Sequence, residues 1–210
     1  MNSDGKKLRV AVGGFGAIGR PVATALDKGI PNLKLVAVSA RAKERVEQEM
    51  ATNFRSSVPV LPLEDLADVA DVIVECAPAE HLCRLAEPVL ERGKTLVLIS
   101  VGAILDAQHL VELADKRGGR ILVPSGALLG LDAVQAAAFG KISSVRMVTR
   151  KPTKGLEGAP YVDDRRINLA ELREPKILYS GSAKDAIRGF PANLNVAIAL
   201  SLAGIGPELT

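Results

Sequence analysis

The chain contains no tryptophan, and aromatic residues make up only 3% of its 210 residues. Single-stranded nucleic acid is held on successive aromatic rings, so that kind of platform is not expected here. Charge of one sign is scarce as well. Lys and Arg number 27 against 24 Asp and Glu, a net charge of +3, and the two signs alternate along the chain instead of forming a basic stripe. This argues against nucleic acid as a partner. No apolar run approaches the roughly 20 residues that a membrane helix needs, so no membrane is expected. The opening stretch also lacks the apolar core of a signal peptide. Cys76 and Cys83 are the two cysteines, too few for a disulfide framework and in keeping with a reducing compartment, so the cytoplasm is expected. Together with His81 and His109 they lack the spacing of zinc ligands, and no metal is expected.

What is present is an alternation of β-branched runs and helical stretches. Leu8 to Val12, Leu35 to Val38, Val72 to Val74, Leu96 to Ile99 and Ile121 to Val123 read as strands. Their near-continuous Val, Ile and Leu suit a parallel sheet buried on both faces. Val58 to Leu61, broken by Pro59, suits an edge at best. Helices are expected at Ile18 to Lys28, Ala42 to Ala51 and Glu80 to Arg92, and after an Asp106 cap as far as Arg117. Gly29, Gly93 and the Gly118–Gly119 pair terminate them. The fold class is therefore α/β, a Rossmann doubly wound parallel sheet.

Past about residue 130 the rhythm changes. Asp132 to Phe139 reads as a helix, Val145 to Thr149 and Lys176 to Tyr179 as strands, and Ser182 as the cap of a short helix. Val196 to Ala203 reads as a last helix starting near Asn193 or Asn195. The charged, Gly- and Pro-containing stretch Lys151 to Leu172 reads as a long loop. The organisation expected is a Rossmann domain over residues 1–129, followed by an incomplete α+β substrate and dimerisation domain over residues 130–210.

Gly14-Phe15-Gly16-Ala17-Ile18-Gly19 matches G-x-G-x-x-G between a strand and a helix, the context that turns a weak pattern into a diphosphate-binding turn. Gly14 permits the tight bend, Gly16 lets the backbone approach the phosphates, and Gly19 lets the helix pack close. The free N–H groups at the helix start face the anion. About 20 residues on, an NAD-preferring turn places an acid on the ribose 2′-hydroxyl. Here Ser39-Ala40-Arg41-Ala42-Lys43 has none. Either Ser39 and Arg41 accept a 2′-phosphate, or Arg41 and Lys43 are the solvated first turn of a helix. The cofactor expected is NADP or NAD.

The other strand ends, Glu75-Cys76-Ala77-Pro78, Ser100-Val101-Gly102-Ala103 and Pro124-Ser125-Gly126-Ala127, are built of small residues that leave room for a nicotinamide. Cys76 can be read as a nucleophile, but with no activating base in view the reading preferred is a small buried apolar group. His81 stands just after a strand end and faces either the cleft or solvent. His109 reads as a surface residue.

With these segments in hand, the chain resembles the L-aspartate dehydrogenase family. The resemblance rests on the glycine turn, Val74-Glu75-Cys76-Ala77, Ser100-Val101-Gly102-Ala103, Ser125-Gly126-Ala127-Leu128-Leu129-Gly130 and Arg150-Lys151-Pro152. It continues with Gly181-Ser182-Ala183 and Phe190-Pro191-Ala192-Asn193-Leu194-Asn195-Val196-Ala197. The resemblance implies NAD(P)-dependent oxidation of L-aspartate to iminoaspartate, which hydrolyses to oxaloacetate and ammonia or feeds NAD biosynthesis, in a homodimer. It implies cofactor contacts at Ala127 and Asn195, which join Gly14, Phe15, Gly16, Ala17, Ile18, Ser39, Arg41, Cys76 and Ala77, read above from the turn and the strand ends, as the expected cofactor-binding set. Lys151 is the candidate cation for a substrate carboxylate, while Arg150 is either a second one or a surface residue. The family's acid/base histidine falls beyond Thr210, so no catalytic residue is assigned, and the chain reads as C-terminally truncated. A catalytically silent NADP-binding module and a dehydrogenase of another amino acid or imine are the alternatives.

Overall fold

The computed structural model describes residues 7–191 and 193–210; Ala192, part of the last segment of the resemblance, lies outside them. The chain divides into two compact units, at Pro124 and Ser125.

In the first unit five parallel strands form one sheet: β1 (Leu8–Gly13), β2 (Leu33–Ser39), β3 (Val72–Glu75), β4 (Thr95–Leu98) and β5 (Arg120–Leu122), in the order β2-β1-β3-β4-β5. The helices between them are α1 (Gly19–Gly29), α2 (Lys43–Asn53), α3 (Leu66–Val69), α4 (Leu82–Glu91) and α5 (His109–Arg117). The five expected strands are all present within two residues at either end. Val58 to Leu61 makes a single parallel bridge, Val60 to Val38, because Pro59 has no N–H to extend a ladder; its carbonyl accepts from the Val38 N–H at 3.1 Å.

Amphipathic spacing decides which helix faces are buried. In α4 the buried positions Leu82, Leu85, Ala86, Val89 and Leu90 recur at the helical period and pack with Ile73, Leu96 and Leu98 from the sheet. Each such leucine contributes about 1.5–3 kcal/mol of burial. The other sheet face carries Val10, Val12, Leu35, Val38 and Val74, covered by Ala23 and Leu26 of α1 and by Val46 and Met50 of α2. Gly118 ends α5 in the left-handed region, at φ 70°, as its position in the sequence implied.

Asp106 does not cap α5. It closes a 3₁₀ turn over Val101–Asp106, and the helix begins three residues later at His109, with Gln108 before it. This extra turn takes up Val101 to Asp106, so the residue read as the cap is spent before the helix begins.

The second unit holds α6 (Leu131–Ala137), α7 (Pro160–Asp164), α8 (Ala183–Gly189) and α9 (Asn195–Ala203). Ser182 caps α8 as expected: its Oγ accepts from the Asp185 N–H at 3.1 Å and donates to Asp185 Oδ2 at 2.8 Å. Neither Val145 to Thr149 nor Lys176 to Tyr179 forms a strand. A β-run is a strand only with a partner beside it, and among the described residues these have none; Val148 and Ile177 are left 69% and 84% exposed. The stretch 151–172 is also more ordered than a loop. It contains α7 and two 3₁₀ turns, and Ala159 and Val162 pack with Phe190 against Tyr161, Leu178 and Tyr179. Apolar residues spaced among the charges built this small core, and the charges masked it.

Candidate functional site

The glycine turn is made by the chain folding over the end of β3. The Gly14 N–H donates to the Ser39 carbonyl at 3.1 Å, and the Cys76 N–H donates to the Gly13 carbonyl at 2.8 Å, so the bend is pinned from both neighbouring strands. The three glycines are needed for different reasons. Gly14 has φ +113°, and a Cβ there would lie 2.5 Å from the Cys76 carbonyl oxygen. A Cβ on Gly19 would lie 1.9 Å from the Gly14 carbonyl oxygen. At Gly16 an added Cβ would meet nothing within 4 Å. Gly14 and Gly19 are therefore required by the protein's own packing, whereas Gly16 borders open space. The N–H groups of Gly16, Ala17 and Ile18 find no acceptor among the described residues, and all three residues are exposed.

Phe15 departs from the rest of the turn. Its side chain is buried in the core beneath, with its ring centroid 6.0 Å from that of Phe54 and the Arg20 guanidinium over the ring, 5.5 Å from its centroid. Only its backbone faces outward at the turn. Ser39 is buried at the end of β2, and Arg41 beyond it is exposed with no carboxylate partner among the described residues. Lys43 is drawn into an ion pair with Glu47 at 3.8 Å, the bland role that its position on the first turn of α2 allowed.

Cys76 lies under the first turn of α1, its Cβ 3.2 Å from where a Gly19 Cβ would sit. Burial, with the Glu75 carboxyl adding to it, pushes its thiol up to about 12. A thiol held protonated is no nucleophile, so the small-apolar reading of Cys76 is the one its surroundings fit. His81 is half-buried and stands 3.7 Å from Glu80; His109 is exposed and bonds Glu87 at 3.1 Å.

Glu75 is the residue that pattern reading passed over. Its side chain is fully buried at the end of β3, in an otherwise apolar run. Oε2 accepts from the N–H groups of Ser100 (2.7 Å) and Ile99 (3.1 Å), and Oε1 accepts from Ser100 Oγ at 3.1 Å. The carboxyl thus binds the end of β4 to the end of β3 and fixes the small-residue turn that follows. Desolvation raises its pKa, and these donors, together with the Ala77 backbone N–H, oppose that rise. The sequence signal was there: an acid inside a strand buried on both faces must find donors or not be charged.

In the second unit, Gly126 has φ +61°, and a Cβ there would lie 3.0 Å from Val196 Cγ2. The loop carrying Ala127 therefore runs against the first turn of α9, whose first residue is Asn195. Ala127 is exposed and Asn195 half-buried. Asn195 is the first residue of α9, with Leu194 at the N-cap position, and the Asn193 N–H donates to the Phe190 carbonyl at 2.9 Å. Arg150 and Lys151 are both exposed.

An open strand-to-helix turn at the point where β1 has neighbours on both sides is the place where parallel α/β sheets take up a dinucleotide. Comparison with known proteins agrees. Residues 14–124 match the model of the homoserine dehydrogenase NAD-binding domain, and residues 132–210 match that of the aspartate dehydrogenase C-terminal domain. The chain is 52% identical to an L-aspartate dehydrogenase of Bradyrhizobium diazoefficiens over 204 residues, covering 97% of this chain and 72% of that one. It is likewise 52% identical to L-aspartate dehydrogenase 3 of Bordetella bronchiseptica over 209 residues, covering 99% and 76%. Among solved structures, the aspartate dehydrogenase of Thermotoga maritima aligns with a TM-score of 0.69 at 22% identity, over 96% of this chain and 75% of that one.

Proposed function

We propose that this chain, a member of the L-aspartate dehydrogenase family, oxidises L-aspartate to iminoaspartate with NAD or NADP as the hydride acceptor. The observation that carries the reading is the open space at Gly16 beside three unclaimed N–H groups. The turn is shaped for a group that a Cβ would exclude, and a diphosphate is the group this geometry accepts.

In the reaction the Cα–H of aspartate leaves as a hydride and the amino group gives up protons, leaving a C=N bond; water then converts the imine to oxaloacetate and ammonia. The bound coenzyme supplies an electron-poor nicotinamide ring for the hydride. The protein's part is to bind and orient. The backbone of Gly14 to Ile18 holds the diphosphate. Ser39 and Arg41 read the ribose, and the free Arg41 favours acceptance of a 2′-phosphate. Cys76 and Ala77 supply a small, apolar wall kept in place by the Glu75 carboxyl. From the second unit we add Ala127 and Asn195 as cofactor contacts, the Asn195 amide having both a donor and an acceptor for a carboxamide. Lys151 is proposed to hold a substrate carboxylate. Residues 1–129 then chiefly serve the coenzyme, and residues 130–210 serve the substrate and dimer while lending Asn195 to the coenzyme.

We place the enzyme in the cytoplasm as a homodimer whose imine product can enter NAD biosynthesis. Two free cysteines support the first point. The exposed apolar side chains of Leu129, Phe139, Val148 and Ile177 support the second. Among the described residues no helix is long and apolar enough to cross a membrane.

Turnover of L-aspartate followed by reduced-nicotinamide absorbance, alongside D-aspartate and a panel of other amino acids, tests the reading. Reduction with L-aspartate and not with its enantiomer is expected. Coenzyme binding without turnover of any amino acid would overturn it in favour of a silent dinucleotide-binding module, and preference for another amino acid would reassign the substrate.

A further inference from the structure

Away from the glycine turn, three donor side chains of different kinds converge where α4 and α5 lie side by side. Cys83 and Glu87 are one helical turn apart on α4, and His109 opens α5. The Cys83 thiol sulfur, a Glu87 carboxylate oxygen and a His109 ring nitrogen all lie within 4.8 Å of one another. His109 Nε2 is already 3.1 Å from Glu87 Oε1.

We propose that Cys83, Glu87 and His109 form a binding site for a zinc-class divalent cation. The donor set is the first argument. Thiolate, carboxylate and neutral imidazole are the three ligand types that zinc takes, and three protein ligands plus a water complete a tetrahedron. Charge is the second. One thiolate and one carboxylate neutralise a divalent cation with no surplus, and no Lys or Arg competes for Glu87 among the described residues, since Arg84 is taken by Glu64 and Arg92 by Asp68. Geometry is the third. Zinc bonds of 2.0–2.3 Å place tetrahedral ligand atoms roughly 3.3–3.8 Å apart. The present separations close to that by movements of about 1 Å in side chains that are exposed or half-exposed. Binding replaces the Nε2–Oε1 hydrogen bond with two bonds to the cation, His109 coordinating as a neutral imidazole with its proton on Nδ1, and sends the proton of the Cys83 thiol to solvent.

The reach of the site follows from its anchors. The i, i+4 pair fixes two ligands to one helix face, and the third comes from the next crossover helix, 22 residues past Glu87. A bound cation therefore ties together the helices that follow β3 and β4. The ligands are local on α4 but distant to the third, which is why spacing along the sequence does not announce the site. The glycine turn is not involved, so cation binding and coenzyme binding are separate properties.

Titration of the untagged full chain with cobalt chloride, in the absence of coenzyme, tests the proposal. The expected result is a near-ultraviolet thiolate-to-cobalt band saturating at one equivalent, displaced by zinc chloride, with a zinc-dependent rise in Tm. Cys83→Ser should abolish the band, and His109→Gln and Glu87→Gln should each weaken cobalt at least tenfold, with Tm in the metal-free state and NADP affinity unchanged in all three. No band in the parent chain, or a band that survives Cys83→Ser, overturns the proposal. A band lost in Cys83→Ser but unaffected by both Gln substitutions also overturns it, because the cation then sits on a thiol alone.

Discussion

Alanine at Gly16 is expected to leave the fold as stable as before and to remove dinucleotide binding, whereas alanine at Gly14 or Gly19 is expected to damage the fold. At Gly19 the new Cβ would lie 1.9 Å from a backbone oxygen that cannot move without reopening the turn, an overpacking of about 1–3 kcal/mol or more. At Gly14 a backbone contact of 2.5 Å combines with φ +113°. Strain of about 1–3 kcal/mol adds to overpacking of similar size, for a total of roughly 2–6 kcal/mol. In a chain of this length each kcal/mol lowers Tm by about 2–4 °C, so both variants should melt measurably early. Gly16 meets nothing within 4 Å and has no positive φ. Alanine there should be neutral or stabilising by about 0.4–1 kcal/mol, through a less flexible unfolded chain. Its methyl would occupy the space that a diphosphate requires, costing at least tenfold in affinity, about 1.4 kcal/mol. Thermal melts with and without NADP, paired with calorimetric titration, read both quantities. If Gly16→Ala keeps the parent affinity, or melts as early as Gly19→Ala, the assignment of the open space to a phosphate is wrong.

Arg41→Ala is expected to weaken NADP more than NAD, by more than about 1 kcal/mol, as loss of a charge-assisted hydrogen bond should; equal losses in parallel titrations would make Arg41 a bystander. Asp71 accepts from the Arg9 backbone N–H and guanidinium at 2.6–3.1 Å, which holds its carboxyl at about 2, below the ordinary 3.8. Its contribution is complete above pH about 4 and lost as pH falls toward 2. The pair is partly exposed, so Asp71→Asn should cost no more than about 1 kcal/mol at pH 7. That cost should vanish in denaturation run near pH 2, and one that persists there would refute the ion-pair account. Iodoacetamide at pH 8 should label Cys83 well ahead of Cys76, whose thiol is pushed up to about 12; equal labelling by mass spectrometry would show that the turn opens.

The parallel sheet was legible because its strands are buried on both faces and so carry unbroken runs such as Leu35 to Val38 and Leu96 to Ile99. The turn was legible because close backbone approach leaves only glycine at 14 and 19. Two classes of feature were not. Segments such as Val145 to Thr149 have strand composition, but pairing is a property of two segments and composition describes one. Glu75 reads only as a letter within a motif, because its donors on β4 and the turn after it come from residues 99 and 100, a separation that local pattern cannot span. The small core around Phe190 was hidden for a related reason: Ala159, Val162 and Leu178 are scattered among charges and meet only when the chain has folded.

The order of the sheet places β2 on one side of the glycine turn and β3, β4 and β5 on the other. A guest lying across that turn is consequently inspected in two independent halves: the adenosine end by whatever follows β2, the reactive end by whatever follows the other three strands. On the proposed reading, exchange of the few residues after Ser39 should retune which phosphorylated form of the coenzyme is accepted and leave the chemistry alone. On the same reading, changes after Glu75 or Ser100 should alter the chemistry without touching that choice. The topology thus supplies the modularity from which one scaffold serves many dehydrogenases.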